Sequence, residues 1–332
     1  MTLTQLRCIA AIADAGLNIT LAAERVHATQ PGLSKQLRQL EDALGFQVFS
    51  RRGRSLTEIT PQGGQVLERA RVILAEAANI RALAANLRSD AQGELNIATT
   101  HTQARFVLPA AVAALKKRYP AVSVHLKPHG DAEVMERLAR GQVDLAIIST
   151  SGGEPSADGL AVPLFRWRRA VVVPRPHPLA RAARPPTLAQ LATYPLVSYE
   201  SSLRPDSSLR LAFADTGLVP SFACTARDAD LIKTYVRAGL GVGVLAEMAL
   251  TPGDAADLVA LDAAQLFPEC TTWLVLRRDR VLRNHAAALV ERVAPQIDGR
   301  ELRRVLAGNA PARWPPPPTW QALRARWPVA AT

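Results

Sequence analysis

From Leu3 to Ala13 the apolar residues Leu3, Leu6, Ile9, Ala10 and Ala13 recur every three or four positions, and Gly16 follows where such a helix stops. Thr20 is placed to cap a second, short helix over Leu21 to Val26, with Ala22, Ala23 and Val26 inward and Glu24 and Arg25 in water. After His27 and Ala28, Thr29-Gln30-Pro31 supplies a capping hydroxyl and a proline for the first turn, where its missing N–H does no harm. The helix this opens is predicted to run to Leu44. Its Leu33, Leu37, Leu40 and Leu44 form the buried stripe, leaving Gln30, Ser34, Lys35 and Arg38 on other faces, and Gly45 closes it. A short helix, a tight turn and a second helix with a polar, basic outer face is the helix-turn-helix pattern.

Arg51-Arg52-Gly53-Arg54 reads as a basic turn, and Leu56 to Thr60 alternates as an edge strand does, so this stretch is expected to form a wing. From Thr60-Pro61, again a cap followed by proline, Val66, Leu67, Ala70, Ile73, Leu74, Ala77, Ile80 and Leu87 mark an alanine-rich helix of about 27 residues. A helix of that length with one apolar stripe packs against a copy of itself, so dimerisation along Pro61 to Leu87 is expected.

Gln92-Gly93 breaks the helical pattern, and apolar runs then alternate with amphipathic stretches. Strands are expected at Leu95–Thr99, Val122–Leu126, Asp144–Ser149, Ala170–Val173, Leu196–Tyr199, Phe222–Thr225, Gly243–Ala246 and Thr272–Leu276. Helices are expected at Ala104–Arg118, Ala132–Arg140, Ser208–Thr216, Ala229–Ala238 and Asn284–Val293. This alternation predicts an α/β domain with largely parallel sheets, divisible in two. From Gly299 the chain carries Arg300, Arg303, Arg304, Arg313, Arg324 and Arg326 against Glu301 alone, with prolines from Pro315 to Pro318. That composition disfavours compact structure, although Trp314, Trp320 and Trp327 are groups suited to packing back on the body or to stacking on nucleic acid. The expected organisation is residues 1–60 as a winged helix-turn-helix, 61–92 as linker helix and hinge, 93–298 as the α/β domain and 299–332 as a basic tail.

The chain has 332 residues, enough for two cores, and its 48% hydrophobic content is too apolar for general disorder. A net charge of +11 favours a polyanionic partner but does not choose between nucleic acid and membrane. Cys8, Cys224 and Cys270 lie far apart, without a Cys-x-x-Cys pair or a nearby histidine cluster, so neither a disulfide framework nor a metal site is expected. Met1 to Asp14 lacks the basic-then-apolar pattern of an export signal, and no uncharged apolar run reaches the roughly 18 residues of a membrane helix. The expected location is the cytoplasm, with no membrane partner.

Reading DNA requires cations that displace counterions from phosphates and short polar groups that face base edges. Thr29, Gln30, Pro31, Ser34, Lys35 and Arg38 present these on the second helix: Gln30 is suited to adenine, Ser34 to base or phosphate, and Lys35 and Arg38 to guanine or backbone. Arg51, Arg52 and Arg54 would grip flanking phosphate from the wing. Any one of these side chains is equally explained as the wet face of a small bundle; their joint placement is not. In the α/β part, Thr99-Thr100-His101-Thr102-Gln103 follows a strand and precedes a helix, so hydroxyls, an amide and helix N–H groups converge where an oxyanion would bind. The plain alternative for Thr100 and Thr102 is helix capping.

The series Leu6, Ala22-Ala23, Gln30-Pro31-Gly32-Leu33-Ser34, Leu37, Leu40-Glu41, Leu44-Gly45, Phe49, Arg51, Leu56-Thr57, Thr60-Pro61 and Gly63 resembles the N-terminal domain of LysR-type transcriptional regulators. The stretches from Ala98 to Arg105 and from Asp228 to Val244 resemble, more narrowly, the CysB and Cbl branch, which controls sulfate assimilation and sulfonate use. The resemblance covers residues 1 to about 295. It implies two lobes like those of periplasmic binding proteins, lobe one near 93–163 and 268–298 and lobe two near 164–267, with an effector between them. It also implies promoter DNA as partner, a homodimer or homotetramer, contact with RNA polymerase, and an effector such as sulfate, thiosulfate, adenylyl sulfate or an acetylserine. Carried over residue by residue, Thr100, Thr102 and Gln103 match the branch, Ser149 stands for a threonine and is followed by Thr150, and Arg204 stands at about the place of another threonine. That last loop departs from the branch: Arg204 would strengthen anion binding and Glu200 would oppose it, which leaves open a regulator of an unrelated pathway.

Catalysis has little support. There is no Gly-x-Ser-x-Gly elbow, phosphate-binding loop or His-Glu-x-x-His, and Gly239-Leu240-Gly241-Val242-Gly243 follows a helix and precedes a strand, the reverse of a dinucleotide loop. No enzyme and no cofactor are expected. A solute-binding protein would leave the basic N-terminal motif unexplained, and a purely architectural DNA binder would not need the α/β domain.

Overall fold

The computed structural model describes residues 1–53, 55–88, 91–156 and 159–326. The chain forms two compact units, one of Met1–Arg88 with Asp279–Val281 and one of Ser89–Arg278 with Leu282–Thr332.

In the first unit α1 (Leu3–Asp14), α2 (Ile19–Arg25) and α3 (Gln30–Leu44) precede a hairpin of β1 (Phe49–Arg52) and β2 (Ser55–Ile59), then α4 (Pro61–Leu87). Thr2 and Gln5 form a reciprocal cap at the start of α1. The cap of α2 is Asn18, not the expected Thr20: its side chain accepts from Leu21 N at 3.0 Å, which starts the helix two residues earlier. Thr29 caps α3 through Gly32 N at 3.2 Å, and Gly45, at φ 77°, ends it in the left-handed conformation that lacks a penalty only for glycine. Leu6, Ile9 and Ile12 meet Leu33, Leu37 and Leu40 in one core, closed by Val48, Phe49, Leu67 and Ala70. Gly63 lets the first turn of α4 abut this core, since a Cβ there would lie 2.0 Å from the Val48 carbonyl oxygen.

The second unit contains two five-stranded sheets. The first, in the order β4-β3-β5-β12-β6, is built from β3 (Gly93–Thr99), β4 (Val122–Pro128), β5 (Leu145–Thr150), β6 (Gly159–Trp167) and β12 (Cys270–Arg277). Around it lie α5 (His101–Phe106), α6 (Leu108–Arg118), α7 (Asp131–Ala139) and α11 (Asn284–Val293). The second, in the order β11-β7-β10-β8-β9, uses β7 (Arg169–Pro174), β8 (Leu196–Tyr199), β9 (Phe222–Ala226), β10 (Val242–Ala246) and β11 (Leu258–Leu261). Its helices are α8 (Leu188–Ala192), α9 (Ser208–Asp215) and α10 (Ala229–Arg237). Both sheets are mixed rather than largely parallel: β3, β4 and β5 run parallel, but β12 is antiparallel to β5 and β6, and β7 is antiparallel to β10 and β11. The chain passes from the first sheet to the second at Trp167–Arg169, later than the expected 163–164, and returns between Leu261 and Cys270.

The described part of the tail, to Arg326, packs on the body as its tryptophans allowed, although its composition disfavoured compact structure. Helices α12 (Gly299–Leu306) and α13 (Trp320–Ala325) bury Leu302, Val305, Trp320 and Leu323 in the core of the second unit. Trp314 Nε1 donates to the Ala161 carbonyl at 2.8 Å, Arg166 N to that of Pro318 at 2.8 Å, and Trp320 packs on Phe165 at 5.3 Å between ring centroids. The proline run forms no helix and lies along β6 as an extended strap, its backbone carbonyls bonded to Arg166. Trp327 lies outside the described residues.

Candidate nucleic-acid interface and ligand cleft

On α3 the capping Thr29 and Pro31 are exposed at the first turn, Gln30 Nε2 donates to Ser34 Oγ at 3.2 Å, and Lys35 and Arg38 stand in solvent. The apolar stripe at Leu33, Leu37 and Leu40 is buried, so the polar residues between those positions are displayed outward by helical geometry alone. Arg52 is exposed on β1, and Arg54 lies outside the described residues. Arg51, expected to grip phosphate, has another partner: its guanidinium pairs with the Glu41 carboxylate, which is buried. Glu41 Oε1 also accepts from Val48 N at 2.9 Å and Phe49 N at 3.4 Å, so this one side chain ties α3 to the first wing strand. Sequence reasoning placed Glu41 in a motif without a role. A glutamate inside the leucine stripe was the signal, since a carboxylate on a buried face needs partners.

In the second unit the residues proposed for an effector come from different elements. Thr100 holds the cap position of α5 but makes no side-chain cap bond, against the capping alternative. Thr102 Oγ1 bonds the Tyr199 hydroxyl at 3.3 Å, joining the first sheet's α5 to the second sheet's β8. Gln103 Nε2 donates to Ser149 Oγ at 3.3 Å and to Thr272 Oγ1 at 3.2 Å, and those two hydroxyls are 3.0 Å apart. Trp167 Nε1, at the crossing between sheets, donates to Ser149 Oγ at 3.3 Å. Gln103, Ser149 and Thr102 are thus brought together at the seam of the two lobes, with Tyr199, Trp167 and Thr272, which sequence reasoning did not select. Thr150 is drawn aside: its hydroxyl donates to Gly153 O at 2.9 Å and accepts from Trp273 Nε1 at 2.9 Å.

Two buried oxygens here, Gln103 Oε1 and Thr99 Oγ1, have no hydrogen-bond partner among the described residues. A buried acceptor left unpaired is costly unless something supplies a donor.

Arg204 is held bidentately by Asp206, Nε to Oδ1 at 3.0 Å and Nη2 to Oδ2 at 2.6 Å, and this pairing raises its pKa and lowers that of Asp206. Glu200, expected to oppose an anion, is paired with Arg227 at 2.8 Å. Asp131, at the start of α7, lies 4.0 Å from Arg204. Burial pushes its carboxyl pKa up, the Arg204 charge pulling the other way, and its Oδ1 has no partner among the described residues. Among the described residues no group of three or more histidine, cysteine or acidic side chains could hold a metal ion, and no helix is long and apolar enough to cross a membrane.

A three-helix bundle with a winged hairpin, a long helix and a two-sheet domain with a polar seam define a DNA-binding transcription regulator with a ligand-sensing domain. Residues 3–64 match the bacterial regulatory helix-turn-helix protein of the lysR family and residues 88–298 the LysR substrate binding domain; the chain belongs to the LysR family of transcriptional regulators and is not an enzyme. It is 41% identical over 297 residues to the HTH-type transcriptional regulator CysB of Haemophilus influenzae, covering 90% of this chain and 91% of that protein. It is 36% identical over 305 residues to the HTH-type transcriptional regulator cbl of Escherichia coli K12, covering 92% of this chain and 96% of that protein. The crystal structure of the cofactor-binding domain of the Cbl transcriptional regulator superposes with a TM-score of 0.60 at 35% identity, over 65% of this chain and 94% of that one.

Proposed function

We propose that this regulator binds promoter DNA as a homodimer or homotetramer and senses a small sulfur-related anion or acetylserine in the seam between its lobes, controlling genes of sulfate, sulfonate or cysteine metabolism. The observation that carries the effector site is Thr99 Oγ1, a buried hydroxyl with no partner among the described residues and so able to donate to an anion, beside the Gln103, Ser149 and Thr272 network, whose unpartnered Gln103 Oε1 would accept from the N–H or O–H of an acetylserine. Thr100, Thr102 and Ser149 add hydroxyls, and Thr150 and Arg204 form the rim. The sulfur assignment is supported by the similarity to CysB and Cbl regulators.

For DNA, Gln30 and Ser34 read base edges while Lys35, Arg38, Arg52 and Arg54 meet phosphate, with Thr29 and Pro31 fixing the helix end. Arg51 acts through Glu41, holding the wing. Oligomerisation is supported by α4, on which Val72, Ile80 and Leu87 are 61%, 64% and 79% exposed, a stripe that asks for cover. Effector binding shifts the balance between two arrangements of the lobes, by its different affinity for each, and so alters the DNA complex and its contact with RNA polymerase in the cytoplasm.

The test is calorimetric titration of the purified protein with sulfate, thiosulfate, adenylyl sulfate, O-acetylserine and N-acetylserine in buffer free of competing anions. Saturable binding of at least one, abolished in Thr102→Ala and Gln103→Ala, is the expected result. Binding of none would detach the regulator from sulfur metabolism. The replaced loop at Glu200 to Arg204 favours, as second reading, a LysR-type regulator of another pathway.

A further inference from the structure

The most buried guanidinium described in the second lobe is balanced by no carboxylate. Arg169 opens β7 with 7% of its surface exposed. Its Nε donates to Ser208 Oγ at 2.5 Å and its Nη1 to Ser202 Oγ at 3.1 Å. Ser202 Oγ lies 2.9 Å from Ser198 Oγ, which donates to the Val244 carbonyl at 2.7 Å. All of these acceptors are neutral. The titratable groups nearest to Arg169 are Cys270 and Tyr199, both pushed up by burial and therefore uncharged. Among the described residues no carboxylate pairs with Arg169, and its Nη2 makes no hydrogen bond.

The more exposed arginines of the same unit are treated differently. Arg166 pairs with Glu269, Arg204 with Asp206, Arg227 with Glu200 and Arg237 with Asp254 and Asp257. Guanidinium stays protonated in proteins, and arginine is buried almost only when paired. A buried cation without an anion of its own is costly, and binding one would compensate it.

The surroundings fit an anion. Ser208 begins α9, whose cap Ser207 leaves the positive end of an eight-residue helix beside the guanidinium. Across the ladder Arg169 faces Ala246, whose N–H donates to the Tyr199 hydroxyl at 3.2 Å, and that hydroxyl is the one bonded to Thr102. Trp167, two residues back, reaches Ser149. Arg169 thus borders the polar seam, through Ala246 and Tyr199 on one side and Trp167 on the other.

We propose that Arg169, held in place by Ser202 and Ser208, is the charge-neutralising group for the effector, taking a small oxyanion that is either inorganic sulfate or the carboxylate of an acetylated amino acid. This rests on the seam being the effector site, and it moves the anion-binding role from Arg204, whose guanidinium is satisfied by Asp206, to a residue that carries no anion of its own.

The experiment titrates the full-length protein with sodium sulfate and, separately, with N-acetylserine at fixed ionic strength, comparing wild type with Arg169→Met, Arg169→Lys, Arg204→Met and Gln103→Ala. Arg169→Met is expected to weaken binding of the responding probe by about 30-fold, the worth of a charge-assisted contact. Arg169→Lys, which keeps the charge but not the fork, is expected to weaken it by about tenfold and serves if the methionine variant does not fold. Arg204→Met, at the rim and already paired with Asp206, is expected to weaken binding less than Arg169→Met does. Without ligand, Arg169→Met should melt no lower than wild type, and at one probe concentration it should gain less stability than wild type does, a response that a purely structural arginine would not give. The responding probe identifies the source of the oxyanion. Wild-type affinity in Arg169→Met or Arg169→Lys would overturn the assignment; if Gln103→Ala loses binding in that same experiment, the seam remains the effector site without Arg169. Failure of wild type to bind either probe would overturn the assignment as well.

Discussion

Replacing Arg51 by alanine separates two roles for a wing arginine that look alike in sequence. If Arg51 met a phosphate, its loss would reduce the slope of log affinity against log salt by about 0.9. In the structure its guanidinium is paired with Glu41, whose side chain is 7% exposed against 31% for that of Arg51. With one partner partly in water, the charge-assisted bond contributes about 1–2 kcal/mol, discounted for solvent screening. The first unit of about this size would then lose some 4–8 °C in melting temperature per kcal/mol. All five tryptophans lie beyond that unit, so indole fluorescence does not report on it. Hydrogen exchange at Val48 and Phe49, whose amides donate to Glu41, does. In Arg51→Ala these two amides should exchange about 5- to 30-fold faster while the salt slope of DNA binding is unchanged. Lys35→Ala should do the reverse, lowering the slope by about 0.9 with exchange unaltered. A lowered slope with unaltered exchange in Arg51→Ala would refute the assignment of Arg51 to the wing.

Gly63→Ala should unfold the first unit or abolish DNA binding, because its Cβ would collide with the Val48 carbonyl at 2.0 Å, whereas Gly64→Ala, which meets nothing within 4 Å, should raise helix stability by about 1 kcal/mol; circular dichroism melts compare them. Asp254 accepts from Lys233 at 2.9 Å and from Arg237 at 2.8 Å, and its carboxyl lies below the usual range because these bonds outweigh its burial. A depressed carboxylate contributes stability above its unfolded pKa of about 3.9 that fades as pH falls through the folded value. Asp254→Asn should therefore lose about 3–5 kcal/mol at neutral pH, leaving Lys233 buried with a weaker set of partners, and show a shallower acid transition in tryptophan fluorescence. Trp320→Ala should destabilise the second unit by about 3–5 kcal/mol, measured by urea unfolding, since the ring is buried against Phe165.

The helix-turn-helix was legible because caps, proline and a leucine stripe all act within a few residues of one another. Asn18 and Thr20 are both capping residues two positions apart, and only the backbone decides between them. Strand β6 went unseen because it is buried on both faces and shows no alternation. Strand direction leaves no periodic trace, so the mixed sheets were read as parallel. In the tail the prolines and arginines argue against compact structure while the tryptophans argue for packing on the body, and it is Trp314 and Trp320, with Leu302, Val305 and Leu323, that anchor it. Of the seam, Thr102 and Gln103 were legible both from their place between a strand and a helix and through family resemblance. Arg169 was hidden in the run Arg166-Trp167-Arg168-Arg169, which looks like a wet surface until the fold buries Trp167 and Arg169 and leaves Arg168 outside.

The most direct measurement is a nuclease footprint on DNA fragments selected by the protein from sheared chromosomal DNA, taken with and without sulfate, thiosulfate and N-acetylserine, for wild type and Gln103→Ala. The expected result is a protected region whose length or internal cleavage pattern changes with one of these compounds in wild type and not in Gln103→Ala, which binds the same DNA. An identical footprint under every condition, or a change that persists in Gln103→Ala, would contradict a regulator that senses its effector at the seam of the two lobes.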